Sequence, residues 1–190
     1  MLYCCQGVMT MAFRSLDMVA QMREVSVARR KNDSAAYRKT CCDLLCRGYG
    51  GLTDACRACG DPTAESTVFY AFQHILTYLI LSDGDFLQGE YDLYAAFCRS
   101  TGFSPLTVGN VRQLYRDLHT DDLVRDIRLI AAMRPQMPAD DFEALTRGMC
   151  FLALIGDKTF DEDEYRLLRC LYDKTADKIP DSWEDFKSQW

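Results

Sequence analysis

Helix-breaking residues are scarce here: 5 prolines and 11 glycines are spread over 190 residues. A sheet protein with frequent tight turns is therefore not expected, and the long stretches between breakers read as helices. Positive charge is also in short supply, with 22 Lys plus Arg against 28 Asp plus Glu and a formal net charge of −6. That balance disfavours binding to phosphate backbones, so no nucleic-acid partner is expected. Long apolar runs are missing as well. The longest uncharged stretch, Ser66 to Ser82, holds 17 residues and includes Gln73 and His74. It is short of the roughly 20 apolar residues of a membrane span, so a buried core helix is expected and membrane insertion is not. Met1 to Phe13 are uncharged, but no basic run precedes them and no cleavage-type small residues follow. They read as a lead-in to the first helix rather than a secretory leader. Without a leader, the 10 cysteines are expected as free thiols in a cytoplasmic protein.

Histidine is limited to His74 and His119, and neither has Glu three residues before it. This removes the Glu-x-x-His di-iron pattern, and no His-Glu-x-x-His zinc-hydrolase helix exists. His74, inside an apolar helix, reads as a satisfied core histidine. Phosphate-binding glycine loops and the Gly-x-Ser-x-Gly elbow are absent too, so the reading is non-enzymatic.

What is present is helical periodicity throughout. Apolar spacing from about Val8 to Val27, closed by Arg29-Arg30-Lys31, gives a first helix. Asn32-Asp33 caps a second through about Cys46, which the Gly48-Tyr49-Gly50-Gly51 run is expected to stop before a short helix from Leu52 to Cys59. Further helices are expected from Asp61-Pro62 to Leu81, from Gln88 to Arg99, from Ser104-Pro105 to Leu118, from Asp121 to Met133, from Ala139 to Ile155 and from Glu162 to Ala176. The expected product is one all-α domain over residues 1–190, ending in an amphipathic tail over 180–190. Trp183, Phe186 and Trp190 share one face of that tail, which is expected to dock on the body, a partner-binding tail being the other option.

The most informative feature is a repeat, covering about 63–100 and 137–176. Leu79-Ile80-Leu81-Ser82-Asp83-Gly84-Asp85-Phe86-Leu87-Gln88-Gly89-Glu90-Tyr91 aligns with Ala153-Leu154-Ile155-Gly156-Asp157-Lys158-Thr159-Phe160-Asp161-Glu162-Asp163-Glu164-Tyr165. The match implies two helical hairpins with equivalent corners, related by pseudo-symmetry. Asp83 and Asp157 follow apolar helices whose terminal carbonyls already carry partial negative charge. A hard divalent cation such as Ca²⁺ or Mg²⁺ would repay that cost, because carboxylates are its preferred ligands. Helix capping competes with this. Asp161 and Glu164 form an Asp-x-x-Glu capping box, with Phe160 and Tyr165 as its hydrophobic staple, so Glu164 needs no metal. In the first copy Leu87 stands where a cap belongs and cannot accept a hydrogen bond, which leaves Asp83, Asp85 and Glu90 as the stronger ligand set. Lys158 and Thr159 replace Gly84 and Asp85 in the second copy, where an ammonium partly substitutes for an ion. The spacing is not that of an EF-hand.

With its apolar helix, Asp-Gly corner, hydrophobic residue and Glu opening the next helix, the chain resembles the TerB-like (tellurite-resistance B) family. The resemblance covers roughly Thr63 to Lys178 and implies a compact all-α bundle with a divalent-metal site at its corners. The residues it points to are Asp83, Asp85, Glu90, Asp157 and Glu164. It also implies the settings of that family, stress response and co-chaperone-type proteins. The alternative is a metal-free protein-interaction scaffold using a groove or the C-terminal tail. Cys42, Cys46, Cys56 and Cys59 offer thiolates for zinc if two short helices face each other across the glycines, but the spacing matches neither a ribbon nor a finger. Core filling is the better reading of those cysteines.

Overall fold

A computed structural model describes residues 14–81, 88–155 and 160–190, and those residues form an all-α fold. The helices are α1 (Met18–Lys31), α2 (Ser34–Ala58), α3 (Ala64–Leu81), α4 (Gln88–Ser100), α5 (Val108–Asp117), α6 (Thr120–Ala132), α7 (Ala139–Ala153), α8 (Glu162–Arg169) and α9 (Trp183–Gln189), with a 3-10 turn at Arg134–Gln136. Among the described residues extended pairing is confined to one isolated bridge, Asp17 with Lys178. None of the described helices is long and apolar enough to cross a membrane.

Local chemistry explains most of the starts. Asp17, Asp33 and Thr107 accept hydrogen bonds from the amides of Ala20, Ala36 and Asn110, satisfying first-turn donors that the helix itself cannot pair. The first helix therefore begins at Met18, and the part of the expected lead-in before Arg14 lies outside the described residues. Thr107, rather than Ser104-Pro105, is the cap of α5. The last body helix, α8, stops at Arg169 rather than reaching Ala176. Asp173 then accepts from both the amide and the hydroxyl of Thr175 in an Asx turn, which competes with continued helix.

The largest departure is at the glycines. Gly48 to Gly51 do not stop the second helix; α2 runs through them for 25 residues. Their role is contact with α7. A Cβ at Gly48 would lie 2.5 Å from the Leu145 Cα, and one at Gly148 would lie 3.0 Å from the Leu45 backbone nitrogen. The two glycines let α2 and α7 pack with backbones close together, in the most extensive helix–helix interface of the fold. Around them Cys41, Leu45 and Leu52 on α2 and Leu145, Met149 and Leu152 on α7 are completely buried. Each such leucine contributes about 1.5–3 kcal/mol relative to an exposed position.

The helix expected over the long uncharged stretch is α3, and it is core, as its hydropathy implies. Phe72, Ile75, Leu79 and Ile80 are fully buried, and α3 packs chiefly on α6. At the end of the chain Phe186 is buried, and Phe160 meets the rings of Trp183, Phe186 and Trp190 at 5.5–5.9 Å. The Trp190 indole donates to Ser26 Oγ at 3.2 Å. The amphipathic tail thus docks on α1 and on the start of α8.

Candidate functional site

The residues singled out by the repeat fall into two groups. Asp83, Asp85 and Asp157 lie outside the described residues. Glu90 and Glu164 are described, and each lies in the first turn of its helix, α4 or α8. Both side chains are withdrawn from solvent: Glu90 is 2% exposed and Glu164 is 0% exposed. Glutamate is rarely so deeply buried without a compensating partner. The two equivalent positions of the repeat therefore share an uncommon environment as well as a sequence register.

For Glu164 part of the compensation is explicit. Its Oε2 accepts from the Asp161 amide at 3.2 Å, while Asp161 Oδ1 accepts from the Glu164 amide at 2.9 Å, completing the expected capping box. Phe160 and Tyr165, the staple pair, are buried. Asp161→Ala should accordingly destabilise the protein by about 1 kcal/mol through loss of the cap. Urea unfolding at neutral pH checks this, with Glu162→Ala, on the exposed side of the same turn, as the near-neutral control.

Tyr78 connects the first repeat copy to this turn. It lies in the last turn of α3, four residues before Ser82, and its ring stands 6.2 Å from that of Tyr115. Partial burial, with the negative charge of Asp163, Asp161 and Glu164 nearby, pushes the Tyr78 phenol up to about 12. The C-terminal end of α3 and the N-terminal end of α8 therefore occupy the same region of the bundle. Tyr78, Thr120, Leu123, Asp163, Arg166 and Leu167 line a hollow of about 200 Å³ there. Arg166 bonds Glu162 at 2.6 Å and approaches Asp163 at 3.7 Å, so the acidic run Asp161 to Glu164 is partly neutralised within its own helix. Sequence spacing alone did not single out Tyr78, because its relation to α8 is made by packing.

The remaining candidates resolve into structure. The His74 ring nitrogen Nδ1 lies 2.7 Å from Asp126 Oδ2, and Asp126 is itself buried, so His74 has the satisfied role its apolar helix suggested. The four-thiol zinc arrangement needs two helices facing each other across the glycines. Continuous α2 places Cys46 and Cys56 ten residues, or about 15 Å, apart along one axis, so the four sulfurs cannot converge. Among the described residues no group of three or more His, Cys, Asp or Glu side chains is placed to hold a metal ion. The corner aspartates are not among those residues.

Comparisons with protein-family models, with curated proteins and with solved structures find no match. The TerB-like resemblance thus rests on the corner motif itself.

Proposed function

We propose that the chain is a non-enzymatic helical module of TerB-like type that binds a divalent cation, Ca²⁺ or Mg²⁺, at its acidic corners. The observation that carries this reading is the matched burial of Glu90 and Glu164 at equivalent points of the repeat. Both carboxylates also have partners within the fold, and a cation at the corners would add to those partners rather than replace them. The donor set is also of the right kind. Asp83, Asp85 and Glu90 supply only hard oxygen ligands, the class that Ca²⁺ and Mg²⁺ select over softer transition metals. Glu90 and Glu164 would hold the ion from the helix starts, with Asp83, Asp85 and Asp157 contributing from the corners. The setting suggested by the resemblance is a cytoplasmic stress-associated or co-chaperone-type assembly with a protein partner.

A second reading is favoured by one observation, the complete capping box of Asp161 and Glu164. In that reading the acids only cap helices, and the module is a metal-free interaction scaffold. Its partner would use a groove, since Phe186 of the tail is buried against the body.

Calorimetric titration of the chelator-stripped protein with calcium, magnesium, manganese and zinc separates the two. At an ion concentration about 100 times the dissociation constant, linkage adds about 2.7 kcal/mol. For a chain of this size that raises Tm by about 5–10 °C. Asp83→Asn and Glu90→Gln should each abolish the shift. A flat titration with every ion at millimolar concentration sinks the cation reading. The scaffold reading expects that result, together with a Tm for Asp83→Asn within about 2 °C of the parent.

A further inference from the structure

Positive charge, scarce in the chain as a whole, collects where α1 meets α2. Residues 29–38 carry Arg29, Arg30, Lys31 and Arg38 against one carboxylate, Asp33, in a chain whose net charge is −6. The end of α1 accounts for the first three, since cations suit the partial negative charge of its terminal carbonyls. Arg38 has no such reason. It lies in the second turn of α2, and its guanidinium rests on the first turn of α4, where a Cβ at Gly89 would stand 2.7 Å from Nη1. Helix starts carry partial positive charge, so a guanidinium is poorly placed there unless an anion joins it. Elsewhere on α2, Arg47 closes on Asp141 and Arg57 on Glu65, each at 2.8 Å. Among the described residues Arg38 closes on no carboxylate.

Arg29, Asn32, Ser34, Tyr37, Arg38 and Ile155 line one hollow of about 200 Å³ at this corner. Its two guanidinia come from different helices, and Asn32 and Ser34 add neutral polar groups. Tyr37 is held rigidly, because its hydroxyl donates to the Phe151 carbonyl at 2.7 Å and its ring meets that of Phe151 at 4.8 Å. None of the described lining residues is acidic. Asp33, beside them in the chain, is engaged by its own helix, its Oδ1 accepting from the Ala36 amide at 2.7 Å.

We propose that this hollow binds a small phosphate monoester, held by the Arg29 and Arg38 guanidinia with the Ser34 hydroxyl as a further donor. Guanidinium groups match phosphate oxygens in paired hydrogen bonds, and two of them on one hollow suit an anion of more than one charge. A phosphate monoester carries about −1.5 to −2 at pH 7, whereas a carboxylate brings a single charge that one guanidinium already balances. The volume sets the size of the ligand. It falls below the roughly 300–1,000 Å³ of sites for drug-sized molecules, so the substituent on the phosphate is small. An anion here also repays the placement of Arg38 beside the start of α4. This assignment does not depend on the cation reading.

The test is calorimetric titration of the full-length protein with sodium phosphate at neutral pH, in excess chelator and with ionic strength held constant by chloride. Chelation removes any ion that could bridge phosphate to the corner carboxylates, so failure here and failure of the cation reading are separate results. The expected result is saturable binding of one phosphate with a Kd of about 1 mM or tighter. Arg29→Gln and Arg38→Gln should each weaken it by about tenfold or more, the worth of one charge-assisted hydrogen bond. Arg30→Gln, outside the hollow, should change it by less than about twofold, because salt screens a solvated charge. Glycerol 3-phosphate should compete with inorganic phosphate, and the protein should not sediment with vesicles of four parts phosphatidylcholine to one part phosphatidic acid. Absence of saturable binding by the parent protein overturns the proposal. So does equal weakening in Arg30→Gln and Arg38→Gln, or vesicle binding that glycerol 3-phosphate does not displace. Because the parent titration needs no variant, its result stands even if a substitution disturbs folding.

Discussion

Gly48→Ala is expected to lower stability by about 2 kcal/mol, although alanine is the better helix former. The new methyl would lie 2.5 Å from the Leu145 Cα and 2.7 Å from its amide nitrogen, and these are backbone atoms that cannot rotate away. Relief requires α2 and α7 to separate along their whole contact, an overpacking cost of about 3 kcal/mol. Replacing glycine within a helix returns about 1 kcal/mol. The net loss corresponds to a Tm lower by about 4–8 °C. Gly50→Ala, two residues on, should move the other way, because nothing lies within 4 Å of its position. There only helix propensity acts, giving a gain of about 0.5–1 kcal/mol. Thermal unfolding of the two variants side by side is the measurement. Equal and positive shifts would mean that the helices do not meet at Gly48.

Arg134→Ala should be the more damaging change. The Asp177 side chain has no exposed surface, and it forms an ion pair with Arg134, whose side chain is 10% exposed. Asp177 also accepts from the amides of Leu16, at 2.8 Å, and Asp173, at 2.9 Å, tying the segment before α1 to the loop after α8. The guanidinium sits 5.1 Å from the centre of the Phe142 ring. Removing it leaves a buried carboxylate without its cation, a change that costs about 3–5 kcal/mol. The pH dependence identifies the cause. Burial pushes the Asp177 carboxyl up, but the bond from Arg134 and the two amides outweigh it and hold it below the ordinary carboxylate value. A depressed native pKa contributes stability that is complete above the unfolded value of about 3.9 and is lost as pH falls through the native one. In Arg134→Ala burial acts with less opposition, the native pKa rises, and the penalty diminishes as the carboxyl protonates. The difference between parent and variant should therefore be largest at pH 7 and shrink below about pH 4. Urea unfolding at both pH values checks this, and Asp177→Asn in the Arg134→Ala background should recover part of the loss. A deficit that does not change with pH would assign the effect to lost packing on Phe142 instead.

Much of the fold was legible because it is written in local spacing. The boundaries of α4, α6 and α7 follow from apolar periodicity and caps within a few residues of each end. The capping box at Asp161 and Glu164 is a four-residue pattern, and it forms as the pattern implies. The glycine run was misread for a physical reason. Glycine weakens an isolated helix, but its missing Cβ also permits close helix approach, and local sequence does not reveal whether a neighbour will use that space. The zinc arrangement, the less favoured reading of those cysteines, needs two facing helices where one continuous helix stands.

By itself the sequence determined the helical class and the capping box of Asp161 and Glu164, because each depends on residues close in the chain. Only the tertiary structure decided that Gly48 meets Leu145, that Tyr78 lies beside the start of α8, that Glu90 is buried, and that Arg134 finds Asp177. Those relations join residues distant in sequence or depend on what packs over them. They are set by how the helices share one core, which no local pattern encodes.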